Sequence, residues 1–194
     1  LLTGLIQVEE EGDRLDGDEL LSMVGLLFVA GHETTVNLIG NGTHALLCNP
    51  EQTELVRTAQ VDDENMVEEL LRYDSPVQTS GRRLTKDTVI GGIKVAADEM
   101  VLTALGSANR DEAFWGSTAA DLDLTRDGAA RHLSFGSGVH HCLGAALARM
   151  EGEIAISRLV RRFPELSIAE EPIINARIIL RGRGTFPVNL GTPA

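Results

Sequence analysis

Along the chain, apolar positions first recur with a helical period. Leu20, Met23, Val24, Leu27, Phe28, Leu38, Ile39 and Leu46 are spaced for one helix face, and the interior stays nearly free of polar residues until Gly31-His32-Glu33-Thr34-Thr35. Asp16-Gly17-Asp18 supplies a capping signal, so a long helix is predicted from there to about Cys48. Its most apolar part, Leu20 to Gly31, is too short to span a bilayer and is expected to be buried. Asn49-Pro50 reads as N-cap and first-turn proline of a short helix to about Thr58. Asp62-Asp63 caps another to about Tyr73, ended by Ser75-Pro76.

From Val77 to Leu105 short β-like runs surround Gly91-Gly92 and the Ala96–Asp98 turn, predicting a small antiparallel sheet. Ala108 to Arg131 is irregular. A glycine-rich loop, Phe135 to Gly144, leads into a helix from about Leu143 to Phe163 carrying apolar Leu147, Met150, Ile154, Leu159 and Val160. Ile173 to Leu190 reads as a terminal hairpin. The expected class is mainly α with a small antiparallel β region.

Composition narrows the function. The chain has 194 residues, a net charge of −12, 43% hydrophobic and 24% charged residues, which fits a soluble globular protein rather than a disordered one. Such acidity argues against nucleic-acid binding, which needs a basic face. Two cysteines, Cys48 and Cys142, make no disulfide framework and no C-x-x-C motif. The Leu1–Leu5 start lacks a basic region, so no secretory signal is expected, and a start without Met reads as a fragment.

The densest chemistry lies in Phe135-Gly136-Ser137-Gly138-Val139-His140-His141-Cys142-Leu143-Gly144. Its glycines allow tight turns and a close approach to something flat. Cys142, ahead of a helix start, is placed where a thiolate is favoured. The residues alone leave a nucleophile, a metal ligand or a small buried turn residue open. Other readings fail on spacing. His32-Glu33-Thr34-Thr35-Val36 lacks the second histidine of a zinc protease. His140 and His141 lack the further cysteines of a closed zinc site. Gly136-x-Gly138 lacks the third glycine of a dinucleotide loop. Glu33-Thr34, read alone, is a polar pair on a buried helix face. Cys48 reads as structural.

These residues resemble a known family. Phe135, Gly136, Gly138, His140, Cys142 and Gly144 match every fixed position of F-G-x-G-x-H-x-C-x-G, the haem-binding loop of the cytochromes P-450. Ala30-Gly31-His32-Glu33-Thr34 is similar to that family's oxygen-binding groove, A-G-x-[DE]-T. Glu69-Leu70-Leu71-Arg72 is similar to its E-x-x-R pair, continued by a bacterial-style Tyr73-Asp74-Ser75-Pro76-Val77-Gln78.

The resemblance implies the C-terminal half, residues 1–194, of one cytochrome P-450 domain. It implies haem b (iron protoporphyrin IX), with Cys142 as axial ligand and Phe135 shielding the sulfur. Glu33 and Thr34 would relay protons to dioxygen, with Ala30 and Gly31 opening the groove. Arg126 would join Glu69 and Arg72 in a structural trio. Arg82 (or its neighbour Arg83), His132 and His140 would face the propionates, with Gly136 and Gly144 beside the cofactor. Val29, Ala30, Val77, Thr79 and Ile179 would line the substrate cavity. The implied activity is monooxygenation of a small organic substrate, with electrons from a ferredoxin- or flavodoxin-type partner, in a bacterial cytoplasm. Two alternatives are a haem-binding module that cannot turn over, completed by a second chain, and a peroxide-using enzyme. Arg149, Arg158, Arg161 and Arg162 give the last helix a basic side where an acidic partner could dock, or which is simply solvated.

Overall fold

Asp16 starts the longest element. Its side chain accepts from the N–H groups of Asp18 and Glu19, and Glu19 reaches back to the Asp16 N–H, so both ends of a capping box close. Helix α1 follows, Gly17–Leu47. The computed structural model describes residues 3–4, 15–175 and 177–194. The opening Leu1–Leu5 stretch lies outside them apart from Thr3 and Gly4.

Only the second half of α1 is buried, with Leu38 and Leu46 in the core. The expectation of a buried Leu20–Gly31 segment is overturned: Leu21, Leu26, Phe28 and Val29 are exposed. Among the described residues the core builds on the other half of the helix, where Leu38, Leu46, Met66, Leu70, Ile156 and Val160 form one cluster. The helix runs past His32 to Leu47, close to the predicted end near Cys48, so the length limit set by the Leu20–Gly31 stretch does not hold for the helix as a whole. At 31 residues, with a mean hydropathy of 1.2 in its apolar window, α1 is long and apolar enough to cross a membrane by length and composition. Its Asn37–Leu46 half is instead packed within the protein.

Helix α2 is Pro50–Arg57. Asn49 holds the N-cap position, as expected, but its side chain makes no cap bond; Nδ2 donates instead to Ala45 O at 2.7 Å, where the last carbonyls of α1 compete for it. Helix α3, Asp63–Tyr73, is capped by Asp62, which accepts from the Asn65 N–H at 2.6 Å.

The β region is divided into ribbons. β1 (Thr79–Arg83) pairs antiparallel with β4 (Met100–Ala104), and β2 (Thr88–Ile90) with β3 (Ile93–Val95). Short α4 (Leu105–Ala108) and α5 (Glu112–Trp115) precede an irregular stretch. Helix α6 is Ala145–Arg162. The terminal hairpin is nested: β5 (Ser167–Ile168) pairs with β8 (Val188–Asn189) outside, and β6 (Ile173–Ile174) with β7 (Arg183–Thr185) inside. Helices α1, α3 and α6 pack on one another and bring the Phe135–Gly144 loop beside the middle of α1.

Candidate functional site

The loop is shaped by its own hydrogen bonds. Gly136 (φ +70°) and Gly138 (φ +73°) hold left-handed conformations that side-chain-bearing residues resist. The Gly136 N–H donates to Leu133 O and the His141 N–H to Gly138 O. The chain then returns, and the Cys142 N–H donates to Phe135 O at 2.9 Å. The Cys142 thiol is free and exposed, which overturns the reading of a small buried turn residue. Helix α6 starts at Ala145, two residues later than expected, since Cys142 still belongs to this turn.

A cavity of about 300 Å³ opens over the loop. Ala30, Gly31 and Thr34 from α1 share it with Val77, Arg82, Phe135, Gly136, His140, Cys142 and Gly144. Thr34 Oγ1 donates to Ala30 O at 2.6 Å, one turn back, the contact by which threonine loosens a helix ladder. Arg82 lines the cavity and Arg83 does not, as alternation along a strand requires. Arg82 Nη1 is steadied by Ser80 Oγ at 2.7 Å and Gly81 O at 2.8 Å.

Several expected residues lie elsewhere. Glu33 is off the cavity wall, its Oε1 accepting from Arg177 Nη1 at 2.5 Å. Val29 does not line this cavity, since one residue of helix turns it about 100° from Ala30. Thr79 lines a neighbouring cavity of about 410 Å³ with Gln78 and Ile178, and Ile179 is exposed. His132 is a correction. It is buried, Nε2 meets Glu68 Oε2 at 2.7 Å and Nδ1 accepts the Ser134 N–H at 3.0 Å, leaving no ring nitrogen for a propionate. Cys48 is exposed at the end of α1, its sulfur 3.6 Å from His44 Nε2.

Glu69, Arg72 and Arg126 do meet, all buried. Arg72 Nε and Nη2 grip Glu69 at 2.7 and 2.9 Å, and Arg126 Nε approaches both carboxylate oxygens at 3.2 Å. The remaining donors of Arg72 go to the carbonyls of Asn109, Ala119 and Asp121, so its five N–H groups are all used. The trio ties α3 to the irregular segment, which carries no regular hydrogen bonding of its own.

The basic side of α6 is thinner than its sequence suggests. Arg149 is bound to Glu68, and Arg161 to Asp63 at 2.6 Å and to Val56 O. Only Arg158 and Arg162 of the four are exposed.

The cavity fits haem by the chemistry of its lining. A free thiol suits iron. Apolar Ala30, Leu38, Leu71, Val77, Leu105 and Leu147 suit a porphyrin face, and Arg82 and His140 supply donors for its carboxylates. Fold and cavity together define a mainly α protein with a cysteine-bearing, cofactor-sized apolar pocket.

The cytochrome P-450 family profile matches residues 64–180. The chain is 46% identical to the vitamin D(3) 25-hydroxylase of Pseudonocardia autotrophica, over 98% of this chain and 48% of that one. It is 42% identical to the 6-deoxyerythronolide B hydroxylase of Saccharopolyspora erythraea, over 98% and 48%. Among solved structures, the bacillaene polyketide synthase cytochrome P-450 PksS of Bacillus subtilis superposes with a TM-score of 0.90 at 41% identity, covering 97% of this chain and 49% of that one. CYP109E1 of Bacillus megaterium in complex with testosterone superposes at 0.88 with 33% identity, covering 97% and 52%. The chain belongs to the cytochrome P-450 family. It spans about half the length of the relatives it matches.

Proposed function

We propose that this chain is the C-terminal half of a single cytochrome P-450 domain, supplying the ligand loop and oxygen groove of a bacterial cytoplasmic monooxygenase. The observation that supports this most is one cavity shared by the Cys142 loop and by Ala30, Gly31 and Thr34, residues more than a hundred positions apart. Haem b, when bound through a cysteine thiolate, supplies the electron push that favours O–O cleavage. Cys142 would hold the iron, and its backbone is fixed in the loop by the bond from its N–H to Phe135 O. Phe135, Gly136 and Gly144 would lie beside the cofactor, and Arg82 and His140 would hold its propionates. Ala30 and Gly31 leave room beside α1, and the Thr34 hydroxyl donates and accepts protons there. Glu33, next to Thr34, exchanges protons with solvent.

The substrate is a small organic molecule, in keeping with the largely apolar lining and with the named hydroxylase relatives. Hydroxylation or epoxidation needs two electrons, which a ferredoxin- or flavodoxin-type donor delivers. The acid–alcohol pair favours dioxygen over peroxide as oxidant, since a proton relay serves dioxygen. A second reading, a haem-binding module inactive without a complementary chain, is favoured by the exposure of Val139 (98%), Leu143 (93%) and Phe28 (74%).

Carbon monoxide added to the reduced, haem-loaded protein tests the assignment. A Soret band at the thiolate-ligated position, lost in Cys142→Ser, is the expected result; the same band in the variant overturns it. Product formation by the 194-residue chain alone, against the chain joined to a complementary half, separates enzyme from inactive module.

A further inference from the structure

Beside the thiol loop a buried carboxylate pairs with a half-buried arginine, and the chemistry above has no use for either. Glu68 of α3 stands beside the trio's Glu69 yet does not join it; its side chain is 5% exposed. Oε2 faces His132 Nε2 at 2.7 Å, and Oε1 accepts from Arg149 Nε. Because His132 Nδ1 accepts the Ser134 N–H, that nitrogen carries no proton. The ring proton therefore sits on Nε2 and is donated to Glu68, and His132 is neutral. Glu68 and Arg149 are left as a balanced pair, one negative and one positive.

Arg149 connects this pair to the ligand loop. Its guanidinium lies over the Phe135 ring, 4.6 Å from the centroid, at cation–π distance. Phe135 in turn accepts the Cys142 N–H through its carbonyl at 2.9 Å. The cation end of the pair thus touches the residue that holds the ligand, while the carboxylate end is turned to α3 and His132.

We propose that Arg149 and Glu68 are positioning residues for the thiolate, a half-buried pair whose positive end seats Phe135 against the loop and sets the electrostatic potential at Cys142. The inference rests on the haem-thiolate reading. With haem bound, a cation near the ligand would stabilise the thiolate and the reduced iron, and a nearby anion would oppose both. In a partly buried setting such charges act more strongly than in water. A packing role and an electrostatic role therefore differ in sign. Removing Arg149 leaves an uncompensated anion, and removing the Glu68 charge leaves an uncompensated cation.

The test uses Arg149→Met, Glu68→Gln and the double variant in the complete haem-loaded domain. The ferric/ferrous reduction potential and the ferric low-spin electron paramagnetic resonance spectrum are read, with the carbon monoxide band of the parent as control. Expected are a potential lowered in Arg149→Met, raised in Glu68→Gln, and close to the parent in the double variant, whose net charge is restored. Shifts of the same sign in the two single variants, or none, overturn the proposal. Where a lone buried charge prevents haem loading in a single variant, the double variant is expected to regain it. A double variant as defective as the singles overturns the pairing. A parent without the thiolate-type band overturns the haem-thiolate reading and this inference with it; a parent with the band and same-sign shifts overturns this inference alone.

Discussion

Arg177 reaches Glu33 across 144 residues of sequence, Nη1 donating to Oε1 at 2.5 Å. The contact joins the terminal hairpin region to α1 and holds the carboxylate away from the cavity that Thr34 lines. Both partners are substantially exposed, so the pair contributes no more than about 1 kcal/mol to stability. Arg177→Gln is expected to leave the thermal midpoint nearly unchanged and to alter the product formed per electron pair. Unchanged coupling would show that the contact has no bearing on proton delivery.

Thr34→Ala removes the hydroxyl that donates to Ala30 O. Turnover is expected to become uncoupled several-fold, with hydrogen peroxide replacing product, while Thr34→Ser retains coupling. Peroxide yield against product yield measures this, and an alanine variant as well coupled as the parent removes Thr34 from the relay.

Arg72 is 0% exposed and spends every donor it has. Arg72→Ala leaves buried Glu69 with Arg126 as its remaining counter-charge and strips the carbonyls of Asn109 and Ala119 of their donor, a cost on the order of 3–5 kcal/mol. Set against a total stability of about 5–15 kcal/mol, the variant should fold poorly or not at all. Arg72→Lys should fail nearly as badly, because an ammonium cannot reproduce the fork. Wild-type unfolding midpoints in either variant would contradict the geometry.

His44 sits under Arg183, whose Nη2 donates to Nδ1 at 2.7 Å. Burial first, and the Arg183 charge second, hold its pKa below the ordinary 6.5, against the opposing pull of Glu171 and Asp74. Above pH 6.5 neither state binds the proton and the contribution to stability is complete. As pH falls below 6.5 the unfolded chain takes up a proton that the folded one resists, and stability is lost until the folded pKa is passed. Urea midpoints at about pH 7.5 and about pH 5.5 should differ less in His44→Gln than in the parent.

Glu68 acts lower on the pH scale. Burial pushes its carboxyl up, but hydrogen bonds from His132 and Arg149 outweigh that and hold it below 4.5. Its contribution is present above pH 4.5 and is lost as pH falls through the folded value, so Glu68→Gln should flatten the acid limb below pH 4.5. An acid limb of parental steepness in this variant would count against the pair's strength.

What could be read from the sequence was local. Asp16 caps α1 by accepting from the amides of Asp18 and Glu19, and the glycines at 136 and 138 take the positive φ that a tight loop needs. Both depend on backbone preferences within a few residues. The Glu69–Arg72 pair, one helical turn apart, was legible for the same reason.

Tertiary packing decided the rest. Asn49 kept its N-cap position, but its side chain turned back to the carbonyls of α1. His132 turned to Glu68, and Arg149 turned inward from a face that spacing alone would leave in solvent. Nothing within a few positions of Glu33 announces Arg177. These partners lie 64, 81 and 144 residues apart. A side chain's charge is written in the sequence, but the counter-charge it meets depends on which helices and loops pack together, and that is a property of the whole fold.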